Sequence, residues 1–367
     1  LEGEPLYRMA LYRCGKKCYF LFDVHHIIFD GTSVKVFLDE ISRIYRGEEP
    51  EAEEISLMDL SVYEGKLKDT AQYQKAREFF ARRLAGEDFG EALIKDFKKK
   101  TVTPASKEAR LLLGEELSSM AVEQFVRQMG ISENTLFLGA FAYALGKFSG
   151  ENKSLFCTVN NGRHTVNMAN STGMFVRTLP IYHSWEESSA VDNYLQSFQE
   201  EFYEVMDHDC ISFAELAQDY GISSDILFVY QGEMFSGISL EGRQYAAKPL
   251  ATSDVQADVS VMVMKEQGGY EISLEYRTDL YREETARGLL NMLLQVLKGM
   301  LSCEKLGQIS LASELDMQIL DRFNETAFSY DSSKTVVDLF REQAKKTPGN
   351  TAVVYTDRSY TYSQVDE

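Results

Sequence analysis

The sequence is poor in cysteine and has no apolar run long enough to span a membrane. Its 367 residues include five cysteines, an odd number that does not suit a disulfide framework. Cys14 and Cys18 are close together, but nothing beside them completes a metal site. This cysteine pattern predicts reduced thiols and a cytoplasmic protein. The chain opens at Leu1 without Met or an apolar leader, so we expect a fragment that carries no signal peptide.

Several signatures of nucleotide binding and of nucleophilic catalysis are also missing. The sequence contains no Walker or Rossmann glycine loop, no G-x-S-x-G elbow and no carrier-type serine motif. We therefore expect no ATP binding, no serine hydrolase activity and no phosphopantetheine attached to this chain. Fifty-seven acidic against 38 basic residues give a net charge of −19, which makes nucleic acid and anionic membranes poor partners.

What is present is a regular alternation of helices and strands. Strands are expected at 19–24, 155–160, 174–181 and 226–230, and a hairpin at 259–264 with 270–276. Helices are expected at 34–46, 61–84, 118–129, 132–150, 190–206 and 283–301. Residues 302–334 show little periodicity and predict a linker, and a further helix and hairpin follow it. This length and alternation predict an α/β or α+β architecture with two substantial lobes.

The histidines provide the candidate chemistry. His25 and His26 follow the first expected strand, and Asp30 lies four residues after the second of them. Neighbouring strand residues point to opposite faces, so we expect one ring to enter a cavity and the other to pack inside. Thr32 or Ser33 is expected to cap the helix that follows. No partner pattern accompanies the remaining histidines, which we expect to be structural or on the surface: His164, His183 and His208.

Residues 25–31, HHIIFDG, match the HHxxxDG motif of the condensation-domain superfamily, which is related to chloramphenicol acetyltransferase. Three later segments, 173–180, 226–231 and 275–281, resemble further motifs of that family in the family's order. Segments 323–326, 339–348 and 360–362 resemble the junction into an adenylation domain. The chain departs from the family at Arg177, where Asn is usual, and at Ser212, where Pro is usual.

The resemblance implies the fold and the domain boundaries. It implies two chloramphenicol acetyltransferase-like lobes in a V-shaped pseudo-dimer, with the N-terminal lobe truncated. Residues 1–56 would be the remainder of that lobe, residues 57–312 the C-terminal lobe and residues 313–334 a linker. Residues 335–367 would begin an adenylation domain.

The resemblance also implies amide-bond formation between a donor acyl or peptidyl thioester and the amine of an acceptor aminoacyl thioester. A free α-amino group titrates at about 7.7–8.0 and an imidazole at about 6.5, so an imidazole can accept the proton of the attacking amine. We assign that role to His26; the rival interpretation is that His26 positions the amine or stabilises the tetrahedral intermediate.

Four other residues of the motif region are expected to support the site. His25 is expected to be structural, and Gly31 to allow a tight turn and the close approach of a pantetheine arm. Asp30 is expected to pair with Arg163 across the core, although a role in orienting the histidine stays open. Arg177 and Gln231 are candidates for the walls of the tunnel between the lobes.

The implied partners are upstream and downstream peptidyl carrier domains, which present phosphopantetheine thioesters, and an adenylation domain in cis. No cofactor or metal is expected on this fragment. An epimerisation domain of the same superfamily and a catalytically inactive, carrier-docking member are the alternatives. A heterocyclisation domain would carry Asp-rich sequence in place of His25 and His26.

Overall fold

The computed structural model describes residues 3, 5–98, 105–233, 237–240, 242–246, 257–266 and 268–367. The chain divides into two compact units, Leu1–Ser313 and Glu314–Glu367. Within the described residues, no helix is long and apolar enough to cross a membrane.

The first unit begins with an antiparallel hairpin followed by a short 3-10 turn and a long helix. Strands β1 (Tyr7–Cys14) and β2 (Lys17–Val24) pair with each other. The 3-10 turn His26–Ile28 leads into helix α1 (Gly31–Tyr45). Asp30 is the N-cap of α1, and its carboxylate accepts a hydrogen bond from Ser33 N. The expected cap at Thr32 or Ser33 is therefore wrong, because Asp30, which is not among the expected caps, takes that position.

The rest of the first unit is built on a six-stranded mixed sheet. The elements of this part of the unit, in chain order, are α2 (Leu57–Leu67), α3 (Ala71–Leu84), β3 (Ser106–Leu112), α4 (Ser119–Met129), α5 (Glu133–Ser149), β4 (Lys153–Asn160), β5 (Arg177–Ser184), α6 (Val191–Asp207), α7 (Phe213–Tyr220), β6 (Ile226–Glu233), β7 (Gly237–Leu240), β8 (Arg243–Ala246), β9 (Val259–Glu266), β10 (Gly269–Arg277) and α8 (Glu283–Ser302). The sheet order is β3-β10-β9-β6-β4-β5, and β6 runs parallel to both of its neighbours. The expected α/β (α+β) class is confirmed.

Helix α5 forms the centre of the core. Residues 135–146 are buried without interruption, so this helix is covered on all sides, as expected for an element that is apolar around its circumference. Ser132 caps its start, and Gly150 closes it in the left-handed conformation with φ of 78°, as the sequence predicts.

Two sequence expectations need correction, and some elements were not expected at all. The single helix predicted at 61–84 is two helices, α2 and α3, because Thr70 starts a new helix by accepting a hydrogen bond from Tyr73 N. The strand predicted at 174–181 starts only at Arg177, because Phe175 N donates to Asp30 Oδ2 instead of to a strand neighbour. Strands β1, β3, β7 and β8 and helix α7 have no counterpart among the sequence expectations.

The second unit contains helices α9 (Glu314–Asn324) and α10 (Val336–Lys346), the hairpin β11 (Thr351–Tyr355) with β12 (Arg358–Thr361), and the short helix α11 (Tyr362–Asp366). Helix α9 lies inside the stretch expected to be a linker. Its apolar residues recur at helical spacing, although none of them is buried. Helix α10 starts with a capping box formed by Thr335 and Asp338.

Candidate active site

The two adjacent histidines lie on the turn between β2 and α1, and both are exposed. His25 Nδ1 accepts a hydrogen bond from Ile27 N at 3.1 Å, and His25 N donates to Leu6 O at 2.7 Å. The prediction that the rings alternate across a strand, with His25 packed inside, is wrong. The strand ends at Val24, and His26 already belongs to the 3-10 turn. His25 therefore is not a strand residue but the exposed N-cap of this turn.

The ring of His26 is open to solvent and is not enclosed by the core. In the described part of the chain, no hydrogen bond to this ring is found. The backbone beneath it is ordered by the turn, since Phe29 N donates to His26 O at 3.3 Å. A histidine in this position can exchange a proton with a molecule that approaches from outside the core.

Asp30 is the opposite case, a carboxylate with no exposed side-chain surface. Its Oδ1 accepts hydrogen bonds from Ser33 N and Ser33 Oγ at 2.8 Å each and from Arg163 Nη2 at 3.0 Å. Its Oδ2 accepts from Arg163 Nη1 at 2.9 Å and from Phe175 N at 3.0 Å. The structure therefore joins Asp30 to Arg163, the pair that the family resemblance implies. We call Asp30, Ser33, Arg163, Gly173 and Phe175 the Asp30 anchor.

These contacts decide the ionisation of Asp30. Burial by itself would raise the pKa of this carboxyl, because it penalises the charged form. The hydrogen bonds from Arg163, Ser33 and Phe175 outweigh burial and hold the pKa below its ordinary value. Asp30 is therefore a fixed anion whose lone pairs are already occupied by donors other than His26.

Arg163 reaches Asp30 from a loop that glycine makes possible. Gly162 has a φ of +66°, and a Cβ at this position would lie 1.9 Å from Phe175 O. Only glycine can bring the two backbone segments this close. Arg163 itself has its guanidinium carbon 4.6 Å from the centre of the Phe175 ring and donates to Ser171 O at 2.9 Å.

Gly31 and Gln231 lie beside each other at the start of α1. Gly31 is the first residue of the helix and does not adopt a positive φ. A Cβ on Gly31 would lie 3.9 Å from Gln231 Nε2, an ordinary contact, so the expected tight turn is not what requires glycine here. The exposed Gln231 follows the buried part of β6 and comes within reach of the HHIIFDG turn.

Arg177, the other candidate for the tunnel wall, is engaged by Glu64 of helix α2 through a hydrogen-bonded ion pair. Asp209 lies nearby, and burial raises the pKa of its carboxyl even though the charge of Arg177 acts in the opposite direction. His164 Nε2 is 3.4 Å from Asp209 Oδ2, and Asn160 Nδ2 donates to the same oxygen at 3.1 Å. The positive charge of Arg177 is thus balanced within the protein.

Each of the three remaining histidines lies close to an oxygen atom of an acidic residue. His164 contacts Asp209. His183 Nδ1 lies 2.9 Å from Glu201 Oε2 inside the core, and His208 Nδ1 lies 2.7 Å from Glu204 O. Among the described residues, no group of three or more His, Cys, Asp or Glu side chains could hold a metal ion.

Sequence reasoning misses Ser33, Gly162 and Phe175 as parts of the site. Of these three, the sequence singles out Ser33 alone, and only as a possible helix cap. The contacts of Ser33 and Phe175 join residues 130 or more positions apart, so no local pattern could have identified them.

Comparisons with known proteins show the family of the chain. A family model described as Condensation domain matches residues 1–320. The chain is 28% identical to tyrocidine synthase 2 of Brevibacillus parabrevis over 379 residues, which covers 100% of this chain and 11% of that protein. The chain thus spans about a tenth of the length of this curated relative.

Two solved structures show the same fold. A four-domain non-ribosomal peptide synthetase bound to AMP and glycine is similar with a TM-score of 0.78 at 18% identity, covering 99% of this chain and 30% of that one. The epimerisation domain from the third module of tyrocidine synthetase B is similar with a TM-score of 0.65 at 19% identity, covering 82% of this chain and 73% of that one. At these identities the likeness shows the fold alone.

Proposed function

Because this chain belongs to the condensation-domain family, we propose that it joins two carrier-bound acyl groups through an amide bond, with His26 as the catalytic residue. The observation that carries the assignment of His26 is the division of roles inside the motif. The His26 ring is exposed, whereas the Asp30 carboxylate is buried and held by five donor hydrogen bonds from other residues. The histidine is therefore the group that can meet a substrate.

The chemistry needs a neutral amine at the thioester carbonyl. The nitrogen lone pair attacks the carbonyl carbon, the carbon–sulfur bond breaks, and the amide forms while the pantetheine thiolate leaves. His26 accepts the proton that the amine loses and can return it to the departing sulfur. Holding two tethered reactants together supplies a large part of the acceleration, so positioning of the amine by His26 is a second role for the same ring.

Asp30 supports this chemistry by holding the backbone next to His26, and it does not take part in proton transfer. Its lone pairs already receive donors from Arg163, Ser33 and Phe175, which favours the interpretation of Asp30 as an anchor over that of an orienting acid. His25 supports the turn as its cap. We place Gly31 and Gln231 at the rim of the substrate passage, and Arg177 in its wall.

The proposal extends to partners and domain boundaries. We propose carrier domains upstream and downstream, each presenting a phosphopantetheine thioester, an adenylation domain in cis and a cytoplasmic location. Residues 1–56 and 57–312 would be parts of two lobes arranged in a V, residues 313–334 a linker and residues 335–367 the start of the adenylation domain. The boundary between the two compact units after Ser313 supports the division between lobe and linker.

Epimerisation is the second candidate, because the epimerisation domain from tyrocidine synthetase B shares this fold. It would move an α-proton of a tethered aminoacyl group without forming a bond. The two reactions differ in product, so one experiment separates them.

The test is single-turnover product formation with two loaded carriers. We expect wild type to form amide and His26→Ala to lose about 10²–10⁴-fold in rate, the usual contribution of a general acid–base group. His208→Asn is the matched control, since it removes a histidine from another element and can retain a contact with Glu204 O. Donor that is racemised without any amide product would favour epimerisation. Equal rates for wild type and His26→Ala would contradict the role of His26.

A further inference from the structure

Ser33 is a fully buried hydroxyl in the first turn of α1, with 0% of its surface exposed. Its Oγ lies 2.8 Å from Asp30 Oδ1, 3.1 Å from Arg163 Nη2, and 3.0 Å from both Gly173 N and Gly173 O. The hydroxyl therefore contacts three separate segments of the chain, two of which are at least 130 residues away in sequence.

The hydrogen-bonding capacity of this hydroxyl is completely used. A serine hydroxyl donates one hydrogen bond and accepts two. The two lone pairs receive Arg163 Nη2 and Gly173 N, and the hydrogen can go to Asp30 Oδ1 or to Gly173 O. The charged carboxylate is the stronger acceptor. No water is needed to satisfy this group, so its geometry is set by the protein alone.

We propose that Ser33 is a positioning residue for the reaction: its hydroxyl fixes the start of α1 against Arg163 and Gly173, and thereby fixes the direction in which His26 projects. This inference rests on the proposed catalytic role of His26.

The connection from Ser33 to His26 is short and has few other supports. The turn His26–Ile28 joins α1 through Phe29 and Asp30. Phe29 packs edge-on against the rings of Phe22 and Phe37, at centroid distances of 5.3 and 6.1 Å, so it holds the turn to its own hairpin and helix. The Asp30 anchor provides the contacts that hold this segment to residues 163–175. Loosening Ser33 frees the turn to move relative to them.

The kinetic test compares Ser33→Ala with Thr135→Val in the full-length protein. Thr135 is also fully buried and occupies the same third helical position, in α5, where its hydroxyl bonds Ser132 Oγ and Gln199 Oε1. We expect Ser33→Ala to lower the single-turnover rate of amide formation about 10–100-fold, as expected for a small misplacement of a reacting group, without changing the carrier concentration that gives half the maximal rate. Thr135→Val should leave the rate close to wild type.

Combining Ser33→Ala with His26→Ala tests whether the serine acts through the histidine. If it does, Ser33→Ala has little further effect once His26 is removed. An equal fold-loss in both backgrounds, or no loss in wild type, overturns the proposal. A normal rate in His26→Ala contradicts the proposed function and removes the basis of the Ser33 inference with it.

A spectroscopic readout is independent of the reaction. The chain has five histidines, so the imidazole C2–H signals of labelled protein can be assigned by substitution. We expect Ser33→Ala to shift or broaden the His26 signal, and Thr135→Val to leave it unchanged. If wild type makes no amide while this change occurs, the proposed function fails, and what remains supported is that Ser33 fixes the direction of the His26 ring. An unchanged His26 signal in Ser33→Ala overturns the inference whatever the activity.

Discussion

Replacement of Arg163 by glutamine is the sharpest test of the Asp30 anchor. The side chains of Asp30 and Arg163 have 0% and 4% of their surface exposed, so the variant leaves a buried carboxylate without its counter-charge. Breaking a buried pair in this way costs about 3–5 kcal/mol. Ser33 and Phe175 also donate to this carboxylate and are unchanged in the variant, so we expect a loss near the lower end of that range, about 3 kcal/mol.

Thermal unfolding followed by tryptophan fluorescence measures this loss. Trp185 is the single tryptophan of the chain and lies buried in the same unit as the anchor. For large domains each kcal/mol shifts the midpoint by about 2–4 °C, so Arg163→Gln should lower it by about 6 °C or more. The control is Arg287→Gln, which breaks a pair with Glu283 whose side chains are 59% and 46% exposed. An exposed pair of this kind contributes little to stability, so the control should unfold close to wild type.

The dependence of stability on pH provides a second, independent test of the Asp30–Arg163 pair. The pKa of Asp30 is lowered in the folded state from the ordinary 3.8. Its carboxylate therefore contributes stability that is fully present above pH 3.8 and is lost as the pH falls through the lower folded-state pKa. Arg163→Gln should reduce this acid-dependent loss, since the guanidinium is the strongest of the groups that lower the pKa. Equal midpoints for Arg163→Gln and Arg287→Gln would refute the reasoning.

Two further substitutions test neighbouring features. Gly162→Ala places a Cβ 1.9 Å from Phe175 O at a φ of +66°, so it should lower the unfolding midpoint far more than the control Gly130→Ala. At Gly130 φ is +68° but no atom lies within 4 Å of the added Cβ, so only the left-handed strain of about 1–2 kcal/mol remains. Similar shifts for the two variants would contradict the predicted collision. Arg177→Asn removes an ion pair with the half-exposed Glu64, so it should lower the free energy of unfolding by at most about 1 kcal/mol, and amide formation should continue. Loss of activity at unchanged stability would instead give Arg177 a direct role with substrate.

The parts of the fold that sequence predicts are those whose signals are local. Helix α5 is an example: a serine cap, an apolar run and a closing glycine lie next to each other in the chain, and the helix has these bounds. The turn after β2 is the counter-example. The sequence predicts Thr32 or Ser33 as the helix cap there, but Asp30 is the cap, and it also binds Arg163 and Phe175. Such a choice depends on segments that local patterns do not connect.

The same limit applies to the site. The family motif identifies His26 and Asp30, and the resemblance implies Arg163 as a partner. The contribution of Ser33 and the close approach of Gly162 to Phe175 O are consequences of tertiary packing. Glycine in a loop is common, and only the position of the opposing carbonyl shows why another residue would not fit.

The arrangement also explains how an exposed histidine can be placed with accuracy. A side chain open to solvent has few contacts of its own to restrict it, so its placement depends on the backbone that carries it. That backbone is held on one side by the His25 cap and the hydrogen bond to Leu6 O. On the other side it is held by a buried anion with five donors. Because a buried carboxylate is strongly destabilised if its partners move away, the Asp30 anchor has one strongly preferred geometry. The short segment of chain between Asp30 and His26 then restricts the positions that the exposed His26 ring can take.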